Sequence, residues 1–123
     1  MTISAINLEL IKSYIPQTKR EGLAGYSNKA NYYGAFIDNK LIGFCSIQYY
    51  NKTAKFNNLY IFKEHRRNGY FRELLDFRIK EAKANNCTNI IASCTKMSLP
   101  EYLNRGAIIT REYKICTNIK LAI

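Results

Sequence analysis

The chain has 123 residues, which suits one domain with a single hydrophobic core. With 47% hydrophobic and 23% charged residues, its composition excludes an intrinsically disordered protein. There are 19 Lys and Arg against 9 Asp and Glu, a net charge of +10, and this excess favours polyanionic partners. Two explanations of the excess charge that do not involve function stay open: the basic residues keep the surface solvated, or they reflect a base bias of the genome.

The N-terminal residues predict a helix from about Ala5 to Ile15, with Ser4 as its N-cap. Apolar residues follow at helical spacing at Ile6, Leu10, Ile11, Tyr14 and Ile15. The helix is expected to end before Pro16. The polar residues 17–31 predict a loop or a short, irregular helix.

Three strands follow, at about 32–37, 41–50 and 55–62. The pairs Asp38-Asn39 and Asn51-Lys52 are turn signals between them, so the strands form an antiparallel meander. Gly43 interrupts the second strand and indicates a bulge.

A helix is predicted from about Asn68 to Ala84, and a strand at 89–94 follows it. Its apolar side consists of Phe71, Leu74, Leu75, Ile79 and Ala82. A strand–helix–strand unit implies a parallel pair of strands.

A short helix over 99–104 is predicted next, capped by Ser98 and ended by Gly106, and two strands at 107–110 and 113–121 close the chain. The predicted fold class is therefore α/β. A mixed, mainly antiparallel sheet has a parallel, splayed pair in its middle and helices on its flanks, in a single domain over residues 1–123.

The segment 61–75 is the most informative part of the sequence. An apolar strand ends there, a strongly basic turn with Gly69 follows, and an amphipathic helix begins at once. Such a junction directs unpaired N–H groups and the positive end of a helix dipole at one point, which predicts a site for an anion, most naturally a phosphate.

Other chemistries are poorly supported. No apolar run reaches the roughly 18–20 residues of a membrane span, and residues 1–9 lack the basic start of a secretory signal, so we expect a cytoplasmic protein that does not enter a membrane. The four cysteines form no C-x-x-C motif and His65 is the single histidine, so we expect no metal site and four reduced, structural thiols.

The order of elements and the motif Arg66-Arg67-Asn68-Gly69-Tyr70-Phe71 resemble the Gcn5-related N-acetyltransferases (GNAT), whose signature is Arg/Gln-x-x-Gly-x-Gly/Ala. The hairpin at 36–44 and the segment Tyr102-Leu103-Asn104-Arg105-Gly106-Ala107 are similar to two further family motifs. Together these matches cover roughly residues 32 to 113.

The resemblance implies an N-acetyltransferase that uses acetyl-CoA as co-substrate and an amine as acceptor. The pyrophosphate would be bound by backbone N–H groups of the loop and by its arginines, and the pantetheine arm would pair with the strand that leads into it. The implied binding residues are Leu59, Tyr60, Ile61, Arg66, Arg67, Asn68, Gly69, Tyr70, Phe71 and Arg72.

Tyr102 occupies the family position of the general acid that protonates the leaving thiolate, although it could equally be a packing residue of the short helix. The family often has a glutamate on the strand at 55–62, where this chain has no acid, so we assign no general base. Phe71 replaces a small residue of the signature, and its helical phase predicts that the ring turns into the core. The N-terminal part is expected to be abbreviated, which leaves the acceptor side open.

Two other hypotheses remain. The basic charge, together with Lys29, Lys40, Lys52 and Lys55, suits an enzyme that modifies bases of DNA or RNA. Bases would stack on Tyr26, Tyr32, Tyr33, Tyr49, Tyr50 and Tyr60, although such tyrosines are usually half-buried strand residues. Alternatively, the missing acid suits a non-catalytic binding module with the same fold. A monomer and a homodimer are both open.

Overall fold

A computed structural model describes residues 1–123 and contains one eight-stranded sheet with helices on both faces. The strands are β1 (Thr2–Ile6), β2 (Asn31–Ile37), β3 (Lys40–Tyr50), β4 (Thr53–Phe56), β5 (Leu59–Ile61), β6 (Asn89–Cys94), β7 (Ile108–Glu112) and β8 (Thr117–Ala122). The helices are α1 (Leu8–Ile11), α2 (Ile15–Arg20), α3 (Tyr70–Ala84) and α4 (Leu99–Leu103), with 3-10 turns at Lys12–Tyr14 and Lys63–His65. None of these helices is both long and apolar enough to cross a membrane.

The sheet order is β1-β2-β3-β4-β6-β8-β7, and β5 pairs with β3 beside this path. All pairs are antiparallel except β4 and β6, which are joined through α3. The predicted fold class, with its parallel pair in the middle of a mainly antiparallel sheet, is confirmed.

The predicted helix over 5–15 is wrong at both ends. Residues 2–6 form β1, because all five of them pair with β2, and Ser4 caps nothing. The helical spacing beyond Leu8 is real, but it is divided between α1, a 3-10 turn and α2. Pro16 lies in the first turn of α2, where its missing N–H costs no hydrogen bond, so it starts a helix instead of ending one.

The predicted third strand is two strands. β4 and β5 are separated by Asn57 and Asn58, which belong to neither. The other predicted elements are confirmed within a few residues at their ends, including both turns, where Asp38, Asn39 and Asn51 have positive φ. The predicted bulge is present next to Gly43, because the β2–β3 register passes from Ala35↔Gly43 to Phe36↔Leu41.

The core has one layer on each side of the sheet. Helix α3 buries Leu74, Leu75 and Ala82 against one face. Ile11 of α1 covers the other face and packs on the aromatic side chains of Tyr32, Phe44, Tyr60 and Phe62. Side chains of successive β5 residues therefore point to opposite layers, with Tyr60 toward α1 and Ile61 toward α3.

Gly43 allows β5 to lie close to β3, and Gly43→Ala is expected to destabilise the fold. A Cβ there would lie 2.5 Å from the carbonyl oxygen of Tyr60, a backbone atom that can move only if β5 shifts. We expect a loss of roughly 1–3 kcal/mol in the free energy of unfolding, measured by urea denaturation. Gly34→Ala is the control, since its Cβ would meet side-chain atoms of Phe36 and Leu41, which can rotate away. Equal stability of Gly43→Ala and wild type would contradict this account.

Candidate functional site

A gap opens in the middle of the sheet between β5 and β6. The parallel pairing of β4 and β6 runs from Thr53↔Asn89 to Phe56↔Ala92 and ends there. Beyond the break, β5 pairs only with β3, while Ser93 and Cys94 of β6 pair only with β8. The two central strands therefore diverge, and the backbone edges that face each other across the gap are unpaired.

The register of β5 identifies which backbone groups face the gap. Phe62 N–H donates to Ile42 at 2.9 Å and Ser46 N–H donates to Asn58 at 3.0 Å. Antiparallel strands bond to each other at alternate residues, so Tyr60 faces β3 while the N–H and C=O of Leu59 and Ile61 point to the gap. Of the three β5 residues expected to bind the pantetheine arm, Leu59 and Ile61 thus offer main-chain groups, and Tyr60 does not.

The break between β4 and β5 is fixed by Asn58, which is fully buried. Its side-chain nitrogen Nδ2 donates to the Ala24 carbonyl at 2.5 Å, and its side-chain oxygen Oδ1 accepts from the Ser46 hydroxyl at 2.9 Å. Its backbone carbonyl accepts from Arg78 at 3.1 Å. Every polar group of the side chain has a partner within the chain, so these bonds hold Asn58 at the point where the strands diverge.

The basic loop between β5 and α3 presents free N–H groups. The amide of Arg66 donates to Lys63 and that of Glu73 to Gly69, whereas the six amides from Arg67 to Arg72 donate to no acceptor in the chain. Arg67 has φ +65° and Gly69, the N-cap of α3, has φ +80°. Free amides in a loop with left-handed residues, next to the positive end of a helix dipole, are typical of anion sites.

Gly69 leaves the surface of this loop open. A Cβ at this position would meet no heavy atom within 4 Å, so the positive φ favours a glycine here and packing does not require one. The loop and the gap border one cleft of about 670 Å³. Its wall also includes Leu23, His65, Thr95, Met97 and Ser98.

Two of the three loop arginines are paired within the chain. Arg66 donates to the Ile61 carbonyl and to Glu21, both at 2.8 Å, and Arg72 donates to both oxygens of Glu101 at 2.8 and 3.0 Å. Arg67, in contrast, is exposed and has no ion-pair partner. Asn68 turns its side-chain amide back to the carbonyls of His65 and Arg66. The free backbone amides, together with Arg67, are thus the groups open to an anion.

The ring of Phe71 turns into the protein, as its helical phase predicted. The ring packs against two core clusters, one that contains Leu75 and one that contains Leu74. Ile79 also packs against the first cluster, and Tyr70 against the second. Phe71 also forms part of the cleft wall, where an apolar ring replaces the small residue of the signature.

Glu21 is a cleft residue that the sequence did not suggest. It follows α2, and its carboxylate accepts hydrogen bonds from Tyr60 Oη and Arg66 while Gln17 donates to the same phenol oxygen at 2.9 Å. The bond from Tyr60, aided by Arg66, holds the pKa of Glu21 below its ordinary value. No motif or spacing in the sequence connects Glu21 with a strand that lies 39 residues away.

The Glu21 network predicts a pH-dependent contribution to stability. Because the pKa of Glu21 is lower in the folded state than in the unfolded chain, its contribution is complete above the ordinary carboxyl pKa and is lost as the pH falls through the lowered one. We expect Glu21→Gln to be less stable than wild type in urea denaturation at about pH 7, and the difference to narrow at about pH 3.

The matched control for that experiment is Glu9→Gln. Glu9 pairs with Lys12 on the surface, where both side chains are largely exposed, and such pairs contribute little to stability. A Glu21→Gln variant as stable as the Glu9→Gln variant at both pH values would show that the network does not hold the loop after α2 in place.

Tyr102 is buried in the core, and Arg78 connects it to the break between β4 and β5. The residue is 4% exposed, and its phenol oxygen accepts a hydrogen bond from Arg78 at 3.1 Å. The same guanidinium also donates to the carbonyl of Asn58, which places the phenol oxygen beside the break between β4 and β5. Burial raises the pKa of Tyr102, and Arg78 opposes the shift, so the phenol is protonated at neutral pH. Its role as a general acid stays a prediction.

The cysteines and other metal-binding residues form no reactive group. All four thiols are free, and burial raises the pKa of Cys45 and of Cys94 to about 11. Both are therefore neutral thiols near pH 7, which suits a packing role. No three His, Cys, Asp or Glu side chains are arranged to hold a metal ion.

The surface offers charge but little aromatic area for nucleic acid. Only Lys12, Arg66, Arg72 and Arg105 of the 19 basic residues form ion pairs. Of the six tyrosines expected to stack on bases, all but Tyr50 pack in the core clusters, and Tyr50 is 49% exposed. Lys40 and Lys52 lie at opposite ends of β3, so they do not form one track with each other.

The comparisons with known proteins agree with this geometry. The family model described as the acetyltransferase (GNAT) family matches residues 5–102. A search of curated proteins found no match. Among solved structures, an IAA acetyltransferase from Bacillus cereus superposes with a TM-score of 0.77 at 18% identity, covering 99% of both chains.

Two other structures have the same fold. The ribosomal-protein-S18-alanine N-acetyltransferase from Escherichia coli gives a TM-score of 0.79 at 14% identity, covering 99% of this chain and 93% of that one. A GNAT family acetyltransferase from Elizabethkingia anophelis, solved with acetyl-CoA bound, gives 0.72 at 17% identity, covering 99% and 97%. At these identities the likeness concerns the fold.

Proposed function

Since the chain belongs to the GNAT acetyltransferase family, we propose that it is an acyl-CoA-dependent N-acyltransferase that transfers an acetyl group from acetyl-CoA to an amine. The observation that carries the proposal is the run of six free amides from Arg67 to Arg72 beside an open gap in the sheet. A pyrophosphate needs several hydrogen-bond donors in one place, and a run of six amides without an acceptor in the chain can supply them.

The gap suits the rest of the donor molecule. The pantetheine arm is a chain with two amides, and Leu59 and Ile61 offer unpaired main-chain groups that can bond to it as an added strand would. The Arg66 side chain already uses the Ile61 carbonyl, so the Leu59 groups and the Ile61 N–H are the free partners. One of these N–H groups would polarise the acyl carbonyl and stabilise the oxyanion that forms on attack.

Two proton transfers complete the reaction. Tyr102 gives its phenol proton to the leaving thiolate. The carboxylates at the cleft are Glu21 and Glu101, and each is paired with an arginine, so neither is assigned as the base. We assign removal of the amine proton to water that enters the open cleft, and the rate should therefore rise with pH until the acceptor amine is deprotonated.

The proposal is tested by binding and then by transfer. Acetyl-CoA should raise the melting temperature, whereas S-acetylpantetheine, which lacks the pyrophosphate, should not at the same concentration. Transfer is then measured as release of CoA thiol with a panel of amines, comprising a peptide with a free N-terminus, a lysine-containing peptide, spermidine and an aryl amine. No stabilisation by acetyl-CoA at millimolar concentration would refute the proposal.

The same assays separate the two alternatives. The unpaired basic residues favour a nucleic-acid acceptor, for which binding to single- or double-stranded oligonucleotides should weaken steeply with salt and the oligonucleotide should be acetylated. A binding module would bind acetyl-CoA or an oligonucleotide without releasing CoA. Release of CoA thiol with a small amine, at a rate that does not depend on salt, would favour a small-molecule or peptide acceptor.

A further inference from the structure

Arg78 is a buried charge without a carboxylate partner. It lies in the middle of α3 on the side that faces the sheet, and it is 1% exposed. Its guanidinium donates to the carbonyls of Ser46 and Asn58 and to the Tyr102 phenol, each at 3.1 Å, and it lies 4.3 Å from the ring centroid of Phe56. Its Nε has no hydrogen-bond partner.

Packing alone does not account for an arginine at this position. Burying an ionised side chain is costly even when its hydrogen bonds are made, and an apolar residue of similar size usually serves as well or better. The neighbours on the same helix face, Leu74, Leu75 and Ala82, are apolar. The positive charge therefore indicates a role for which an apolar side chain could not substitute.

The phenol of Tyr102 is the one titratable partner of this charge. Its oxygen accepts from Arg78 and its own O–H donates to no group of the protein. The groups that face it from the packed elements are Arg78 on α3, Cys94 on β6 and Cys45 on β3. Both thiols are neutral, so Arg78 is the only charge beside the phenol.

We propose that Arg78 is a positioning residue that holds the Tyr102 phenol beside the break between β4 and β5 and stabilises the phenolate formed when Tyr102 protonates the departing thiolate. This inference rests on the proposed acyl transfer. The amine nitrogen forms a bond to the acyl carbon, the C–S bond breaks, and its electron pair stays on sulfur. The thiolate takes the phenol proton and leaves as free CoA thiol, and the amine proton goes to water. The phenolate, paired with the Arg78 cation, regains its proton from water before the next turnover.

The inference is tested first without turnover. With 3-fluorotyrosine incorporated at Tyr102, the fluorine signal reports ionisation of that one phenol. In Arg78→Gln, which keeps a donor but loses the charge, the midpoint should rise by roughly one unit or more, since a close opposite charge favours the ionised form. Lys83→Gln is the control, because Lys83 is exposed on the same helix, and its midpoint should match wild type. An unchanged midpoint in Arg78→Gln would refute the inference while leaving the proposed function intact.

The second test uses the amine of the panel that gives the fastest CoA release. Arg78→Gln should lower kcat by roughly 10- to 100-fold, the effect of losing a hydrogen bond to a charged group, with KM for acetyl-CoA within about twofold. In the Tyr102→Phe background, the same substitution should change kcat by less than about twofold, because the two residues act on one proton. An equal loss in both backgrounds would indicate a structural role only.

Arg78→Lys keeps the test decisive if Arg78→Gln does not fold. It retains the charge with fewer donors, so its fluorine midpoint should lie within about half a unit of wild type, and its kcat should stay within about tenfold of wild type. A midpoint that moves well above wild type in Arg78→Lys would count against stabilisation of the phenolate. Failure of the wild type itself to bind acetyl-CoA would instead remove the proposed function.

Discussion

Replacing Gly69 with aspartate is expected to lower the affinity for acetyl-CoA by roughly 100- to 1000-fold, because the new carboxylate would lie against the pyrophosphate. Two like charges about 4 Å apart near a protein surface repel by about 4 kcal/mol, and each 1.4 kcal/mol is about tenfold in affinity. The Cβ would enter open space, so the carboxylate is free to point where the free amides converge.

The folded state should survive this change. Gly69 has φ +80°, a conformation that Asn and Asp tolerate better than other residues, and a side chain there would clash with no neighbour. A negative charge at the start of α3 also interacts favourably with the helix dipole. A side chain at this φ still costs roughly 1–2 kcal/mol, so the melting temperature without ligand should fall modestly and by a similar amount for aspartate and asparagine, which separates loss of binding from loss of structure.

Gly69→Asn is the matched control. It has the same shape and the same backbone preference as aspartate but no charge, so it should lower affinity by about tenfold at most. Both affinities are measured by isothermal titration calorimetry with acetyl-CoA. Equal affinities of the Asp and Asn variants would show that the pyrophosphate does not lie on this loop.

The loop itself could be predicted from sequence because its determinants are local. The end of an apolar strand, one glycine and the start of an amphipathic helix occupy fifteen consecutive residues, 61–75. The family prediction, which also used the order of elements and two further motifs, is confirmed. The helical phase of Phe71 is equally local, and it placed the ring in the core correctly.

The parts that the sequence did not predict depend on distant contacts. The sequence around Asn57 and Asn58 predicts a continuous strand. The break there is explained only by the hydrogen bonds of Asn58 with Ala24, Ser46 and Arg78. Glu21 is identifiable only once Tyr60 and Arg66 are next to it. At the N-terminus, pairing with β2 overrides a helical pattern that would otherwise include Ala5 and Ile6.

Arg78 is a case in which a signal was present. It follows Leu74 by four residues and Leu75 by three, and precedes Ala82 by four, so the helical period places it on the buried side. A search that counts only apolar residues skips an arginine on the buried side of a helix. A charged residue in phase with a core stripe is better treated as a candidate for a buried functional charge.

Tyr102→Phe is expected to lower kcat by roughly 100-fold or more while KM for acetyl-CoA stays within about twofold. The phenol bonds only to Arg78 and to none of the backbone amides assigned to the donor, so its loss should leave donor binding nearly unchanged. Chemistry would slow because CoA would have to leave as a thiolate, or take its proton from water, without a positioned acid.

The same substitution removes an acceptor from Arg78, so it should also reduce the free energy of unfolding by roughly 1–3 kcal/mol. Rates are therefore compared at a temperature at which both proteins are fully folded, as checked by circular dichroism. Tyr50→Phe is the control, because this tyrosine is on the surface of the sheet and its phenol has no partner in the chain. Since a role in packing would move stability alone, a normal kcat in a destabilised Tyr102→Phe would assign Tyr102 to the core and leave the thiolate without an acid from this protein.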